Sequence, residues 1–501
     1  MARIIGDYIG TTWDDFLVLP DWHGGRAFTP EDVDISVDLG GVGLRMPFLP
    51  AAMRSITGEE LGLEAGMLGA MGVAPRGLTI DRQVGIVRNV KKNAVKVGGI
   101  ESEKDPTTIS YDSRLGQAVE EARKTGHTHI PVVTKRQEFM GMFNYRPSKH
   151  DNMDPSMPLA DAMVPYRSRS GRLHACSSRM GNLRIKDYMK RHDLRFVPVV
   201  DGYGRLDRLV FMQTFEAYKI GAAIDTHSGW EGRAEAMINA GADMIFIDTS
   251  DGDKPFAWNL VRKYYKTFGD DAPPICGGNV VTPEAFHRMA DAGARVVKIG
   301  MGPGSICTTN EVLGVGAPPF WSLVEVAKAR DEYASRPGGE YIPVIADGGI
   351  ERTDNMNVAM THADAIMGGK MFGCFFESEG DRVDIEHKMY SKHEHLPEDR
   401  TRWIKIFGEG SREARHTTGD MKRYSPPTAK NGVTTFQGVS GLVPYRGRFK
   451  PGVEGYADTL REALYHTGSR DLAAYRNDAS LIRMSDRAKR TAAPHGIEVI
   501  E

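Results

Sequence analysis

Between about residues 218 and 370 the chain repeats one short pattern: an apolar run rich in β-branched residues, ending in Gly, Asp or Asn and giving way to a helix-like stretch. That alternation is the strand–helix rhythm of a parallel sheet. Six runs carry it: Ile220–Ile224, Met244–Asp248, Pro274–Gly277, Val296–Gly300, Pro343–Asp347 and Ala363–Gly368. Two more, Pro47–Ala51 and Met67–Val73, flank a helical segment upstream. Eight such units predict an α/β chain folded as a (β/α)8, or TIM, barrel, whose reactive residues gather on the loops at the C-terminal ends of the strands.

The rhythm breaks between the second and third strands. A chain of 501 residues exceeds one ordinary core, so a further domain is expected. The insert, about residues 105–217, repeats itself weakly: HTHIPVV at His127–Val133 and LRFVPVV at Leu194–Val200 each follow a helical stretch and precede a turn. The pattern resembles a tandem of cystathionine-β-synthase (CBS) type modules, which sense nucleotides. Such modules commonly hold ribose with a Thr or Ser followed three residues later by Asp. The matching stretches here read GMFNYRPSKHD and RLVFMQTFEAY. An adenine or guanine nucleotide at the insert and a purely structural insert therefore both stay open. The expected order is 1–104 for the first part of the catalytic barrel, 105–217 for the insert, and 218–501 for the remainder. Within the last part, a long polar stretch at 376–436 reads as a mobile flap.

Charge narrows the partners. With 64 basic and 66 acidic residues the formal net charge is −2, which supplies no general field for nucleic acid or an anionic membrane. No stretch approaches the roughly 18 apolar residues that would span a bilayer. The four cysteines, Cys176, Cys276, Cys307 and Cys374, form no CxxC pair and suggest a reducing compartment, so a cytoplasmic protein is expected.

The chemistry-bearing segment is VVKIGMGPGSICTTNEVLGVGAPPF, Val296 to Phe320. It begins as a buried strand and breaks into a loop with glycines at 300, 302 and 304, followed by Ser305, Ile306, Cys307, Thr308 and Thr309. A thiol at a barrel strand's C-terminal end can serve as a nucleophile. A small cysteine packed beside a turn is the other reading, and the loop alone does not separate the two. The wider pattern does. Gly302–Thr309 reads Gly-Pro-Gly-Ser-Ile-Cys-Thr-Thr, and TTWDDFLVLP, Gly277-Gly278-Asn279-Val280, Ala346-Asp347-Gly348-Gly349-Ile350 and Phe436-Gln437-Gly438-Val439-Ser440-Gly441 stand at suitable spacing. Over nearly its whole length the chain resembles the IMP dehydrogenase / GMP reductase family, and within it the IMP dehydrogenases.

That resemblance implies NAD-dependent oxidation at C2 of a purine nucleoside 5'-monophosphate, IMP to XMP, a step of guanine nucleotide biosynthesis. Cys307 would add to C2, hydride would pass to NAD, and water would release the covalent thioimidate, with Thr309 assisting. Arg423 and Tyr424 match the family's hydrolytic pair on a mobile flap, and Gln437 matches the position that meets the purine's N1 edge. Ser305, Gly348, Gly349, Gly368 and Gly369 would receive phosphate and Asp347 the ribose hydroxyls, with Met53 and Gly410 also at the nucleotide. Asp248, Ser250, Asn279, Gly300 and Gly302 fall on the nicotinamide side, although Asp248 could instead cap a helix. The carbonyls of Gly302, Gly304 and Cys307 match a monovalent cation site, K+. A homotetramer, or octamers joined through the insert, is implied as well.

Departures cluster around the nucleotide. Where an IMP dehydrogenase usually reads Ser-Pro-Met-Asp, this chain has Ala51-Ala52-Met53-Arg54. A phosphate-binding Ser becomes Gly369, followed by Lys370, and a Tyr becomes Ile406. Lys370 could compensate as a point charge, and Arg54 could face substrate or solvent. Gly408-Glu409-Gly410-Ser411 stands where the family has Gly-Met-Gly-Ser. A carboxylate there would favour a 6-amino base, which makes AMP oxidation to isoguanosine monophosphate an alternative, unless the Glu409 side chain points to solvent. GMP reduction and a non-catalytic nucleotide-binding regulator are the remaining readings.

Overall fold

The structure, a computed structural model, describes all residues except 1–9, 22–27, 95–99, 126, 167–173, 182–183, 186–187, 190–191, 193, 195, 213–217, 395, 419–434 and 493–501. At its centre lie strands β1 (Phe48–Pro50), β2 (Gly72–Ala74), β3 (Ile220–Ile224), β4 (Met244–Ile247), β5 (Ile275–Val280), β6 (Val296–Ile299), β7 (Val344–Asp347) and β8 (Ala365–Gly368). They pair in the order β1-β8-β7-β6-β5-β4-β3-β2, every pair parallel. Met71 N donates to Phe48 O at 3.1 Å and joins β2 back to β1. The ring is the α/β barrel that the repeated runs predict.

Each strand is buried on both faces, which is why it reads as an unbroken apolar run rather than an alternating one. Leu49, Met71, Phe246, Cys276, Ile345 and Met367 pack inside the ring. Leu39, Val42 and Leu44, from a hairpin pairing Val37–Leu39 with Val42–Leu44, belong to the same cluster. Outside the ring run helices α1 (Glu59–Leu68), α2 (Ile80–Ala94), α3 (Trp230–Ala240), α4 (Pro255–Phe268), α5 (Pro283–Asp291), α6 (Pro319–Ser335), α7 (Thr353–Met360) and α8 (Phe449–His466). Helix α8 packs against both α7 and α1 and completes the outer layer.

Two boundaries differ from the sequence reading. The expected strand Met67–Val73 holds two elements: Met67 and Leu68 end α1, Gly69 caps it in the left-handed conformation (φ 83°), and β2 begins only at Gly72. A short apolar run does not distinguish a last helical turn from a buried strand. The polar stretch 376–436 is not loop throughout its described residues. Its described part contributes Asp381–Val383, Met389–Tyr390 and Trp403–Phe407 to an antiparallel sheet completed by Ser440–Pro444. Its apolar signal is the short run Trp403-Ile404-Lys405-Ile406-Phe407, in which Ile404 and Ile406, at strand period, are the buried residues.

The chain divides into two compact units, Met1–Ala94 with Ala217–Glu501, and Val95–Glu216. The second unit is built twice over. Ile109–Ser110 runs parallel to His129–Val133, which pairs antiparallel with Phe139–Asn144. Cys176–Ser177 runs parallel to Phe196–Val200, which pairs antiparallel with Leu206–Met212. Val164–Pro165 completes the first sheet and Ile100–Glu103 the second. Both copies shift register between the last two valines of their motif, Val132/Val133 and Val199/Val200. No helix among the described residues is long and apolar enough to cross a membrane.

Candidate active site

Strand β6 ends at Ile299, and the loop that follows is shaped by glycines. At Gly300 (φ +137°) a Cβ would stand 2.2 Å from Asp347 O, so only glycine lets the loop leave β6 this close to β7. At Gly302 (φ +90°) a Cβ would collide with the Asn310 side chain, 1.8 Å from its Oδ1. Cys307 N donates to Gly304 O at 2.9 Å, closing a turn that presents the thiol half-exposed. The other three cysteines are buried. Burial pushes the Cys276 thiol up to about 12 and the Cys374 thiol to about 11. Cys307, by contrast, lines a cleft.

Thr309 opens a short helix, Thr309–Leu313, and is almost completely buried. Its Oγ1 lies 3.2 Å from Cys307 Sγ and 3.2 Å from Gln437 Oε1, to which it donates. Gln437 arrives from far along the chain and is strapped down by backbone. Thr308 N donates to Gln437 O at 3.2 Å, Gln437 N to Gly410 O at 3.2 Å, and Val439 N to Ile306 O at 2.9 Å. The Cys307 loop, the Gly408–Ser411 turn and the Gln437–Ser440 segment are thus tied into one wall, with Gly408, Glu409 and Gly410 facing the same cleft as Cys307.

Opposite elements supply charge. Asp347 at the end of β7 accepts on Oδ2 from Lys298 Nζ at 2.5 Å and from Asn279 Nδ2 at 3.0 Å. Lys298 also donates to Asn279 Oδ1, and Asn279 Nδ2 to Gly300 O at 2.6 Å. All three side chains line the cleft. Lys298 was passed over in the sequence because its run reads as a buried strand. The charge inside VVKI was itself the signal, since lysine is almost never buried unless paired.

Asp248, Ser250, Met53, Gly300, Gly302, Gly304 and Gly348 line the same cleft. Asp248 is not a helix cap, because α4 begins at Pro255 after Lys254. Its Oδ2 instead takes Arg76 Nε at 3.3 Å, and Arg76 Nη1 reaches Asp225 Oδ2 at 3.3 Å. Burial works against the Asp225 carboxylate, but His227 and the Arg76 charge outweigh it and hold its pKa down at about 2.

Glu409 does not point to solvent, and Arg54 does not either. The two form an ion pair, Nε to Oε2 at 3.2 Å, with side chains only 8% and 5% exposed. Arg54 N also donates to Glu409 Oε1 at 2.7 Å. The carboxylate remains on the cleft wall but is neutralised by its partner.

The remaining expected residues fall elsewhere. Ser305 and Lys370 meet on Glu351, a residue the sequence reading missed. Gly349 borders a neighbouring cavity with Trp13 and Pro303. Gly368 ends β8, and Gly369 begins the next turn against Met53. Arg423 and Tyr424 lie outside the described residues.

Fold and site together define a (β/α)8 barrel whose partly exposed Cys307 lines a cleft beyond the C-terminal end of β6. A family model described as the IMP dehydrogenase / GMP reductase domain matches residues 10–495. The inosine-5'-monophosphate dehydrogenase of Pasteurella multocida is 28% identical over 100% of this chain and 98% of its own length. That of Escherichia coli is 28% identical with the same coverage. The crystal structure of a GMP reductase from Trypanosoma brucei in complex with guanosine 5'-monophosphate superposes with a TM-score of 0.66 at 22% identity, covering 98% of this chain and 99% of that one. The chain belongs to the IMP dehydrogenase / GMP reductase family and is an NAD-dependent oxidoreductase.

Proposed function

We propose that the protein oxidises IMP at C2 to XMP with NAD through a covalent adduct on Cys307. The observation that carries the reading is the contact chain from the half-exposed Cys307 thiol through the buried Thr309 hydroxyl to the Gln437 amide. Thiolate addition to C2 makes a tetrahedral carbon. Departure of its hydride leaves a thioimidate; water then adds to C2, the C–S bond breaks, and the thiolate returns. Bound NAD supplies the hydride acceptor. The Asp248 carboxylate and Ser250 hydroxyl on the cleft wall suit its ribose, being an acceptor and a donor–acceptor for hydroxyl groups.

Gln437 supports oxidation over reduction. Reductive deamination of GMP has to deliver a proton to the departing amine, and the chain from Cys307 ends on an amide, which holds no labile proton of suitable acidity. Arg423 and Tyr424 would prepare the water. The Arg54 charge removes the reason to prefer a 6-amino base, so IMP is favoured over AMP.

K+ at the carbonyls of Gly302, Gly304 and Cys307 belongs to the same reading. Gly304 O accepts from Cys307 N and keeps a second lone pair for a cation. The duplicated topology of residues 95–216 supports a tandem CBS-type module. A homotetramer or octamer completes the proposal.

The test is to incubate purified protein with each candidate substrate and identify the nucleotide product by mass spectrometry. NADH formation with IMP and recovery of XMP is the expected result. Turnover of AMP, or NADPH consumption with GMP and release of ammonia, would replace the reading.

A further inference from the structure

Ser305, Glu351 and Lys370 come from the loops after β6, β7 and β8 and converge on one point. Glu351 Oε1 accepts from Ser305 Oγ, and Oε2 accepts from Lys370 Nζ at 2.5 Å. The cluster stays open to water, with the Lys370 and Glu351 side chains 37% and 34% exposed. It stands at the rim of the cleft: Ser305 is two residues from Cys307, and Gly369, beside Lys370, approaches Met53 of the cleft wall.

A hydroxyl and an ammonium converging on two oxygens are the donors a phosphate monoester takes. Loops after strands seven and eight are also where barrels most often hold phosphate. Here those donors are already occupied by a carboxylate. Burial alone would raise the Glu351 carboxyl, but Lys370 and Ser305 outweigh it and hold it below the ordinary carboxylate range. It is therefore anionic at neutral pH, and two anions do not share one ammonium without repulsion.

We propose that Glu351 is an internal stand-in for the substrate's 5'-phosphate, keeping Ser305 and Lys370 in place in the empty site, and that the nucleotide binds by displacing it onto Lys370. The inference rests on the reading of the cleft as a purine nucleoside 5'-monophosphate site. It makes Lys370 the phosphate anchor and Glu351 a specificity-determining residue that limits affinity. Removing the negative charge of Glu351 then tightens phosphate binding, the opposite of what removing a substrate ligand does.

The experiment measures calorimetric binding of IMP, GMP and inosine to the full chain, and compares wild type with Glu351→Gln and Lys370→Met. Both positions are partly exposed, so both variants are expected to fold. Expected are an affinity for nucleotide about fivefold higher in Glu351→Gln and about fivefold lower in Lys370→Met, the size of one charge contact at a half-exposed site. Inosine, which lacks the phosphate, is expected to bind all three proteins alike. Equal binding of IMP and inosine by wild type, or a Glu351→Gln variant that binds nucleotide no more tightly, overturns the proposal. Because binding is read without turnover, the two readings fail separately. Phosphate-dependent shifts without NADH formation from IMP uphold the displacement and reassign the reaction. Turnover of IMP with no such shifts does the reverse.

Discussion

Arg54 and Glu409, 355 positions apart in the chain, close a buried ion pair on the wall of the cleft. Each is a departure from the pattern that an IMP dehydrogenase usually shows, and in space the two are one change. Arg54 also donates from Nη2 to Ala414 O at 2.7 Å and lies over the Phe407 ring, so it holds both flanks of the Gly408–Ser411 turn. Removing one partner leaves an uncompensated buried charge, at a cost of about 3–5 kcal/mol, whereas replacing both by apolar groups of similar volume is close to neutral. Glu409→Met alone is therefore expected to lower the melting temperature of the barrel clearly, and Arg54→Met/Glu409→Met to recover most of the loss. Additive effects of the two single substitutions in thermal denaturation would show that the pair is not coupled.

Cys307→Ala is expected to abolish turnover and leave nucleotide binding intact. Wild type quenched during turnover should carry a nucleotide adduct by intact-protein mass spectrometry, and the variant should not. Thr309→Val keeps volume and deletes the hydroxyl between sulfur and amide. The expected loss in kcat is about 10²–10⁴, the usual share of a positioned proton-transfer group, with little change in nucleotide affinity. A Thr309→Val enzyme of undiminished kcat would remove Thr309 from the chemistry.

The barrel was legible because parallel strands covered on both faces leave continuous apolar runs, and the Cys307 loop was legible because glycines mark its contortions. The hidden ion pairs share one cause. The partners of Arg54, Lys298 and Lys370 lie 355, 49 and 19 residues away, and a single sequence gives no register between distant loops. Glu409 was visible as an oddity, but its meaning depended on Arg54. The sheet carrying Trp403–Phe407 escaped for a different reason: its strand is a five-residue run, with two buried isoleucines either side of Lys405, set in an otherwise polar stretch.

Asp225 makes the stability of the barrel depend on acid. Its folded pKa of about 2 lies below the ordinary 3.8, so its contribution is present in full above about pH 4 and is lost as pH falls through 2. The shift corresponds to about 2 kcal/mol. Asp225→Asn, which cannot titrate, should show a flatter loss of stability between pH 4 and pH 2 than wild type in denaturant titrations. Parallel acid limbs for the two proteins would rule out the contribution.

Asp347 receives both Lys298 and Asn279 on one oxygen, Oδ2, and in the proposed function its other oxygen, Oδ1, takes a ribose hydroxyl. Lys298 fixes the carboxylate from inside the strand layer, where its own side chain is only 11% exposed. A hydrogen bond to a charged group contributes about 1.5–3 kcal/mol, or roughly ten- to a hundredfold in affinity. Asp347→Asn should raise KM for the nucleotide by a factor in that range, and it should narrow the discrimination between IMP and 2'-deoxy-IMP. Lys298→Met leaves the carboxylate in place on Asn279 alone, without its neutralising charge, so it should weaken nucleotide binding less while destabilising the barrel. Undiminished preference for the ribonucleotide in Asp347→Asn would place the ribose elsewhere in the cleft.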